Sequence, residues 1–336
     1  MIDIVRVGFL TTALLIVSFC GSAMVSADAK TKIVNPLPVM VLSGYSGSQK
    51  FNAPSGLFVD KKRGEVWVAD TGNHQIVEFD AQGNPSFRFR YMSVDMETGE
   101  AVPGAPLSVA VDSAGEVFVT DGASRKVSMY DYRGRLQKRI DLPKITGLDS
   151  VLPGFLKVDG DDNLYIGDTV GMRLIVLDRD QQLVRVVQLK RSVVAVSTAQ
   201  SNGQDAQQSN ERISAMDIGS DGRIYLVNSE DYPCVRVLDA TGKELIAFGD
   251  IDSGWDNFRK PYGIVGIDDG TFWVADAGIH IVKQFAADGK YQQYIGGGPG
   301  SRPGEMRLPS AMATDGKGRL YVAERGTNRV QSFSLK

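Results

Sequence analysis

The chain contains two histidines, His74 and His280, and each follows an acidic residue by four positions. His74 follows Asp70 in VWVADTGNHQIVEFD, and His280 follows Asp276 in FWVADAGIHIVKQFA. Neutral imidazole is a common ligand for zinc and copper, and it exchanges a proton near neutral pH. These two histidines are therefore the residues around which a metal site or a proton-transfer site could be built.

The same sequence motif occurs six times, and the residue at the position of the histidine varies among the copies. The acidic position holds Asp70, Asp121, Asp168, Asn228, Asp276 and Glu324, and the position four residues later holds His74, Arg125, Met172, Tyr232, His280 and Asn328. We take His74, Arg125, Tyr232, His280 and Asn328 as binding candidates and His74, Met172 and His280, from alternating copies, as candidate metal ligands. Thioether sulfur is a poor ligand for zinc and suits copper(I) better, so the cofactor to be considered is a transition metal.

Ordinary turn chemistry is the alternative explanation of both sets of residues, which we call the acidic row and the row that contains the histidines. An Asp side chain can accept backbone N–H groups two or three residues further on, and this stabilises a turn without any ligand. Six carboxylates that are spread around a ring cannot converge on one calcium ion. We therefore expect no tight zinc site.

The spacing of the phrase predicts the fold. Its acidic position recurs about every 50 residues, a period that is typical of propellers and solenoids. The second strand of each copy is apolar on both faces, as in Val66–Val68 and Phe272–Val274, and so must be covered on both sides. Radially arranged sheets provide that cover. We predict an all-β, six-bladed β-propeller of four-stranded antiparallel blades.

The ends of the chain predict how the ring closes. The last copy ends at Lys336 directly after its third strand, and residues 37–54 resemble residues 290–309 in layout. We expect an N-terminal strand within residues 39–45 to pair with residues 329–335 and so to complete the last blade. The predicted domains are a signal peptide (1–27), a lead-in (28–38) and one propeller (39–336).

Residues 1–27 have the pattern of a secretory signal, with an apolar run followed by small residues that end at Ala27. An uncleaved N-terminal anchor is the alternative. After cleavage Cys234 is the remaining cysteine, so no internal disulfide is expected. We predict an extracytoplasmic protein, periplasmic or secreted, which is a monomer without a membrane span.

The formal net charge of −3 excludes a strongly basic surface and with it a nucleic-acid partner. No nucleophile elbow, zincin helix or phosphate loop is present in the sequence. Two insertions depart from the repeat: residues 93–105 are typical of a polar hairpin, and residues 190–212 fit either a surface loop or a contact arm.

The segments APSGLFVD and VWVADTGNHQIVEF resemble the NHL repeat, and the resemblance extends over residues 39–336. It implies a six-bladed propeller. A more distant resemblance is to the peptidyl-hydroxyglycine α-amidating lyase propeller, in which three histidines from alternating blades hold zinc beside an Arg and a Tyr. This implies metal ligands at His74 and His280 and catalytic candidates at Arg125 and Tyr232, but Met172 stands where the third histidine is expected.

The predicted function is a binding or scaffold module for another exported protein, a peptide or a surface polymer, rather than an enzyme. The alternative is a metal-dependent lyase of the amidating type, with its site in the central channel. In either case we expect His74 and His280 on the same end of the propeller, nearer its axis than its rim.

Overall fold

The computed structural model describes residues 32–33, 37–47, 49–95, 98–189, 212–230, 232–250 and 254–335. They form six four-stranded antiparallel blades, so the predicted fold class is confirmed. The predicted signal peptide and nearly all of the 190–212 insertion lie outside the described residues. Within the described part of the chain, no helix is long and apolar enough to cross a membrane.

Strands are numbered in chain order, and each blade runs from an inner to an outer strand. Two strands precede the first blade together with a small hairpin: β1 (Lys32–Ile33), β2 (Met40–Leu42), β3 (Gly44–Ser46) and β4 (Gln49–Lys50). Blade one is β5 (Pro54–Val59), β6 (Val66–Asp70), β7 (Gln75–Phe79) and β8 (Pro85–Arg90). A hairpin of β9 (Met92–Val94) and β10 (Ala101–Pro103) leads into blade two, as we predicted for residues 93–105.

The remaining blades repeat this order. Blade two is β11 (Ser108–Val111), β12 (Val117–Thr120), β13 (Lys126–Tyr130) and β14 (Leu136–Asp141), and blade three is β15 (Pro153–Val158), β16 (Leu164–Asp168), β17 (Arg173–Leu177) and β18 (Leu183–Gln188). Blade four is β19 (Ala215–Ile218), β20 (Ile224–Val227), β21 (Val235–Leu238) and β22 (Glu244–Phe248). Blade five is β23 (Pro261–Gly266), β24 (Phe272–Asp276), β25 (Ile281–Phe285) and β26 (Tyr291–Ile295), and blade six begins with β27 (Pro309–Thr314), β28 (Arg319–Glu324) and β29 (Arg329–Ser334). Helical structure is limited to a 3₁₀ turn (Thr71–Asn73) and α1 (Leu142–Thr146) in the described residues.

The N-terminal strand β2 closes the ring. It pairs antiparallel with β29, with Met40 opposite Ser332 and Leu42 opposite Val330, and so supplies the fourth strand of blade six. This confirms the predicted closure. Strand β1, which lies in the predicted lead-in (28–38), adds a short parallel strand to the outer edge of blade five, where Lys32 lies opposite Gln293.

The apolar core is divided among the interfaces between blades. Each of the six buried clusters in the described residues draws its members from two neighbouring blades; for example, Phe118 and Ile140 of blade two pack with Leu164 and Ile175 of blade three. The second strands β6, β16 and β24 are buried at every residue. This is the arrangement that the two-faced apolar pattern predicted, because each blade is covered on both sides.

Candidate functional site

The acidic row lies at the end of the second strands, and its carboxylates in blades one, three, five and six are fully buried. In blades one, three, five and six the carboxylate accepts a hydrogen bond from the linker that enters the same blade: Asp70 from Asn52 N–H (2.7 Å), Asp168 from Leu152 N–H (3.0 Å), Asp276 from Lys260 N–H (3.0 Å) and Glu324 from Arg307 N–H (2.9 Å). These carboxylates therefore fix the linkers to their own blades.

Carboxylates at this position in blades two, three and five also accept N–H groups of the turns that follow them, as we predicted from turn chemistry. Asp168 accepts from Gly171 N–H (3.1 Å), Asp276 accepts from Gly278 N–H (3.1 Å), and Asp121 accepts from Ser124 N–H (2.7 Å). An oxygen that is used in this way is turned toward the backbone of its own blade. Nothing in this row points to a shared calcium ion.

Most of these buried carboxylates have a basic partner. Asp168 pairs with Arg173 (2.8 Å), Glu324 pairs with Arg329 (3.0 Å), and Asp276 lies 3.6 Å from the Lys283 ammonium. In blade one the position of Arg173 and Arg329 is held by Gln75, whose amide donates to Asp70 (2.7 Å). Burial raises the pKa of the Asp70 carboxyl, and the hydrogen bonds from Asn52, Gln75 and Asn73 oppose that shift.

The row that contains the histidines ends the turn between the second and third strands. His74, Met172, His280 and Asn328 all have left-handed backbone conformations, with φ of 56°, 47°, 63° and 54°. Asn and His tolerate this conformation better than most residues. Both histidines lie on the same end of the propeller, where Pro54 pairs with Asp70 and Pro261 with Asp276. Each lies in the turn that joins the second strand of its blade to the third, and the expectation that both are nearer the axis than the rim stays a prediction.

Several side chains of this row reach the linker of the next blade. His280 Nδ1 accepts a hydrogen bond from Leu308 N–H (3.2 Å), and Asn328 Oδ1 accepts one from Ala53 N–H (2.8 Å). His74 Nδ1 donates to the carbonyl of Gly104 (2.8 Å), and Arg125 donates to the carbonyl of Asp149 (3.2 Å). We call these four contacts the inter-blade clasps, since each ties one blade to the linker that enters the following one.

Met172 and Tyr232 occupy the remaining two positions of this row. Met172 is 3% exposed and packs with Leu189 and Ile213 in the apolar cluster between blades three and four. Tyr232 is 47% exposed.

The candidate metal ligands do not match a three-histidine zinc set. Met172 is sequestered in an apolar cluster, and the Nδ1 atoms of His74 and His280 are occupied by backbone groups. Across the residues described, no three or more His, Cys, Asp and Glu side chains form a group that could hold a metal ion. The transition metal considered from the sequence stays a prediction.

A cavity of 570 Å³ lies on the axis, and the inner strands and linkers of the blades line it. Its volume is within the usual range for small-ligand sites. The lining residues discussed below are Ser55, Ser108, Leu156, Lys157, Ser214, Met216, Asp217, Lys260, Tyr262, Ile264, Ser310, Met312 and Arg325. None of the residues proposed from the sequence as binding, catalytic or metal-ligating lines this cavity, so their roles remain untested predictions.

Two opposite charges form the inner part of the cavity. Lys157 of β15 and Asp217 of β19 pair at 2.8 Å, and Asp217 also accepts Gly266 N–H (3.0 Å) from β23. Asp217 is 5% exposed. The pair thus joins the inner strands of blades three, four and five, and its charges cancel.

The serine hydroxyls of the lining are engaged with the protein. Ser55 donates to Leu107 C=O (3.1 Å), Ser310 donates to Pro54 C=O (3.2 Å), and Ser108 accepts from Leu156 N–H (3.1 Å). Ser214 shares a hydrogen bond with Ser229 (2.7 Å). None of these hydroxyls contacts a histidine, so the lining holds no pair of nucleophile and imidazole base.

Sequence reasoning missed the axial cavity, although part of it had a signal. Lys157 and Asp217 stand in the middle of otherwise apolar inner strands, where the other blades have Phe58, Val265 or Ala313. A charge at an inward position of that kind indicates a buried pair or a site. Lys260 and Arg325 had no such signal, because both are exposed residues in linkers and turns.

Comparison with known proteins gives a family match for a part of the chain. Residues 49–148, which include blades one and two, match the SMP-30/gluconolactonase/LRE-like region. The probable peptidyl-alpha-hydroxyglycine alpha-amidating lyase of Caenorhabditis elegans is 30% identical over 150 residues, which is 41% of this chain and 38% of that protein. Peptidyl-alpha-hydroxyglycine alpha-amidating lyase 2 of Drosophila melanogaster is 29% identical over 156 residues, covering 44% of this chain and 34% of that protein.

The solved structures that resemble this chain agree on the fold. Virginiamycin B lyase from Staphylococcus aureus superposes with a TM-score of 0.56 at 16% identity, covering 88% of each chain. At that identity the likeness extends to the propeller architecture only. The six-bladed propeller is therefore shown, whereas the NHL label stays a prediction.

Proposed function

We propose that this chain is an exported binding module whose ligand site is the axial cavity, with another exported protein, a peptide or a surface polymer as its partner. The cavity of 570 Å³ is the observation that carries the proposal. Its wall combines apolar side chains with serine hydroxyls and a Lys157–Asp217 pair that already have protein partners, which suits recognition of a ligand more than chemistry on it.

A second candidate is a metal-dependent lyase. The two relatives that are amidating lyases favour it, and the match to them covers 38% and 34% of their lengths. In that function His74 and His280 hold the metal, with Arg125 and Tyr232 beside it. The observation against it is that His280 uses its Nδ1 lone pair on Leu308 N–H.

Metal content and cavity occupancy distinguish the two candidates. We would purify the protein without chelators, measure bound zinc and copper, and assay cleavage of a peptidyl-α-hydroxyglycine with added zinc. For the binding module we expect substoichiometric metal, no turnover, and loss of captured peptides or glycans on an array for Met216→Trp, which fills the cavity. Val184→Trp, at a position that is 55% exposed on β18, is the matched control and should bind as the parent does.

Stoichiometric zinc that is lost in both His74→Ala and His280→Ala, together with turnover, would contradict the binding proposal and support the lyase.

Export of the protein is tested separately. The mature protein should be recovered outside the cytoplasm with an N-terminus near Asp28, and N-terminal sequencing that finds Met1 on a cytoplasmic product would contradict it.

A further inference from the structure

The axial cavity has an excess of positive charge although the whole chain has a formal net charge of −3. Its charged lining residues are Lys157, Asp217, Lys260 and Arg325. Lys157 and Asp217 neutralise each other at 2.8 Å. Lys260 and Arg325 are exposed and form no ion pair within the described part of the chain. The cavity therefore has two uncompensated cations.

Both of these cations belong to the mouth of the cavity. Lys260 lies in the linker directly before Pro261, where β23 starts, and Arg325 directly follows Glu324, where β28 ends. These two strand ends lie on the end of the propeller where the inner strands begin. The Lys260 ammonium lies 5.3 Å from the centre of the ring of Tyr262, which is another lining residue. This cation–π contact favours a position of the ammonium over the cavity.

The acidic residues at the ends of the second strands of blades five and six do not cancel the two cations. Asp276 and Glu324 are fully buried and are paired with Lys283 and Arg329. Glu230 is exposed on the same end but is not among the lining residues.

The wall between the mouth and the Lys157–Asp217 pair is apolar. Leu156, Met216, Ile264 and Met312 come from the inner strands of blades three to six, and all four line the cavity. The serine hydroxyls at this level are engaged with protein partners, as described above. A ligand that fills this space meets hydrocarbon along its length and positive charge at its outer end.

We propose that the axial cavity binds a small organic anion with an apolar body, whose anionic head lies between Lys260 and Arg325 and whose body contacts Leu156, Met216, Ile264 and Met312. This inference rests on the proposed function in that it uses the same ligand site, the axial cavity, and goes beyond it by assigning a small molecule as an occupant. Burial of the body contributes in proportion to its apolar area, and the two cations select the sign of the head. A carboxylate and a phosphate monoester both satisfy this description.

The test is a calorimetric titration of the mature protein with four ten-carbon probes. The probes are decanoate, decyl phosphate, decanol and decyltrimethylammonium. We expect both anions to bind, and the stronger of the two identifies the head group. We expect decanol to bind about tenfold more weakly and the cationic probe not to bind, because Lys260 and Arg325 repel it. Higher salt should weaken binding of the anions only.

Variants locate the interaction. Lys260→Gln and Arg325→Gln should each weaken binding of the better anion by about three- to tenfold and leave decanol unchanged. Lys62→Gln, an exposed lysine in the turn between β5 and β6 on the opposite end, is the matched control and should bind as the parent does. Both variants change exposed side chains, and their melting temperatures would confirm that they are folded.

Two results would overturn the inference. If decanol binds as tightly as the anions, or if the two variants retain full affinity for the anions, the cations play no role, although the cavity would still be a binding site. If none of the four probes binds, the inference is overturned, while the array experiment with Met216→Trp decides separately whether the cavity is the ligand site of the protein.

Discussion

His74 and His280 occupy the same position in their repeats but hold the next linker with opposite hydrogen-bond polarity. A carbonyl only accepts, so Nδ1 of His74 carries the proton that is donated to Gly104. A backbone N–H only donates, so Nδ1 of His280 is unprotonated where it accepts from Leu308, and the neutral ring carries its proton on Nε2. The neutral rings are therefore different tautomers: Nε2 is the free nitrogen of both, but it has a lone pair in His74 and a proton in His280, which is a poor starting point for a symmetric metal site.

The clasp of His280 can be tested by comparison with Asn328, which performs the same role in blade six. His280→Ala loses the bond to Leu308 N–H and places Ala in a left-handed conformation, so the free energy of unfolding should fall by about 1–3 kcal/mol. His280→Asn, which retains an acceptor and tolerates that conformation, should cost less than about 1 kcal/mol. Urea denaturation measures both, and equal costs for the two variants would contradict the clasp.

Closure of the ring by β2 predicts that substitutions at two neighbouring residues of this strand have very different effects on the free energy of unfolding. Leu42 is 4% exposed and packs with Phe51 and Val330, so Leu42→Ala should lower the free energy of unfolding by about 2–5 kcal/mol. Val41 is 45% exposed on the same strand, and Val41→Ala should cost no more than about 0.5 kcal/mol. Chemical denaturation of the two variants checks this, and a small cost for Leu42→Ala would mean that the ring does not depend on its N-terminal strand.

The close approach of blades one and two at Gly56 gives a third prediction. A Cβ atom on Gly56 would lie 2.6 Å from the carbonyl oxygen of Leu107 and 2.9 Å from Cα of Ser108. Gly56→Ala must therefore move one blade away from the other and should cost about 1–3 kcal/mol. Gly160, which has nothing within 4 Å of such a Cβ, is the matched control. Gly160→Ala should be neutral or slightly stabilising in a thermal melt, and a neutral Gly56→Ala would show that the inner strands are not tightly packed.

The pH dependence of stability should contain a contribution from Lys283. Burial lowers the pKa of the Lys283 ammonium below its usual 10.5, and Asp276 only partly opposes this. Between the folded and unfolded pKa values the unfolded chain binds more protons, so the free energy of unfolding rises with pH toward 10.5. The slope of this contribution is at most about 1.4 kcal/mol per pH unit.

Lys283→Met removes that contribution. It also leaves the Asp276 carboxylate without its cation, which should cost about 3 kcal/mol at pH 7. Urea midpoints of the parent and the variant between pH 8 and pH 10 should diverge as pH rises. Parallel curves would show that Lys283 titrates normally in the folded protein.

Much of the fold follows from local sequence pattern, whereas the candidate site does not. A strand such as Phe272–Asp276, apolar on both faces, can only be stable between two neighbours, and this requirement with the repeat period leads to the propeller. The acid at the end of that strand was interpretable as well, because its turn partners are two or three residues away. Both inferences can be made from the residue pattern of a single repeat.

The partners of the histidines lie outside the repeat. His74 contacts Gly104 across an inserted hairpin, and the path of that linker is set by how two blades pack. Lys260 and Arg325 are ordinary exposed residues in the sequence, and only closure of the ring brings them to one cavity. The paired charges Lys157 and Asp217 are the part of the cavity that the sequence signalled.

The pairing of Leu42 with Val330 also sets the order of events when the chain is made. Strand β2 is synthesised well before its partner β29, which follows the other strands of all six blades in the chain. Joining segments so far apart has a large loop-closure entropy, and topologies dominated by such contacts fold slowly. Until the third strand of blade six has been synthesised, Met40–Leu42 has no place in the sheet. The finished ring can therefore form only after β29 has been synthesised.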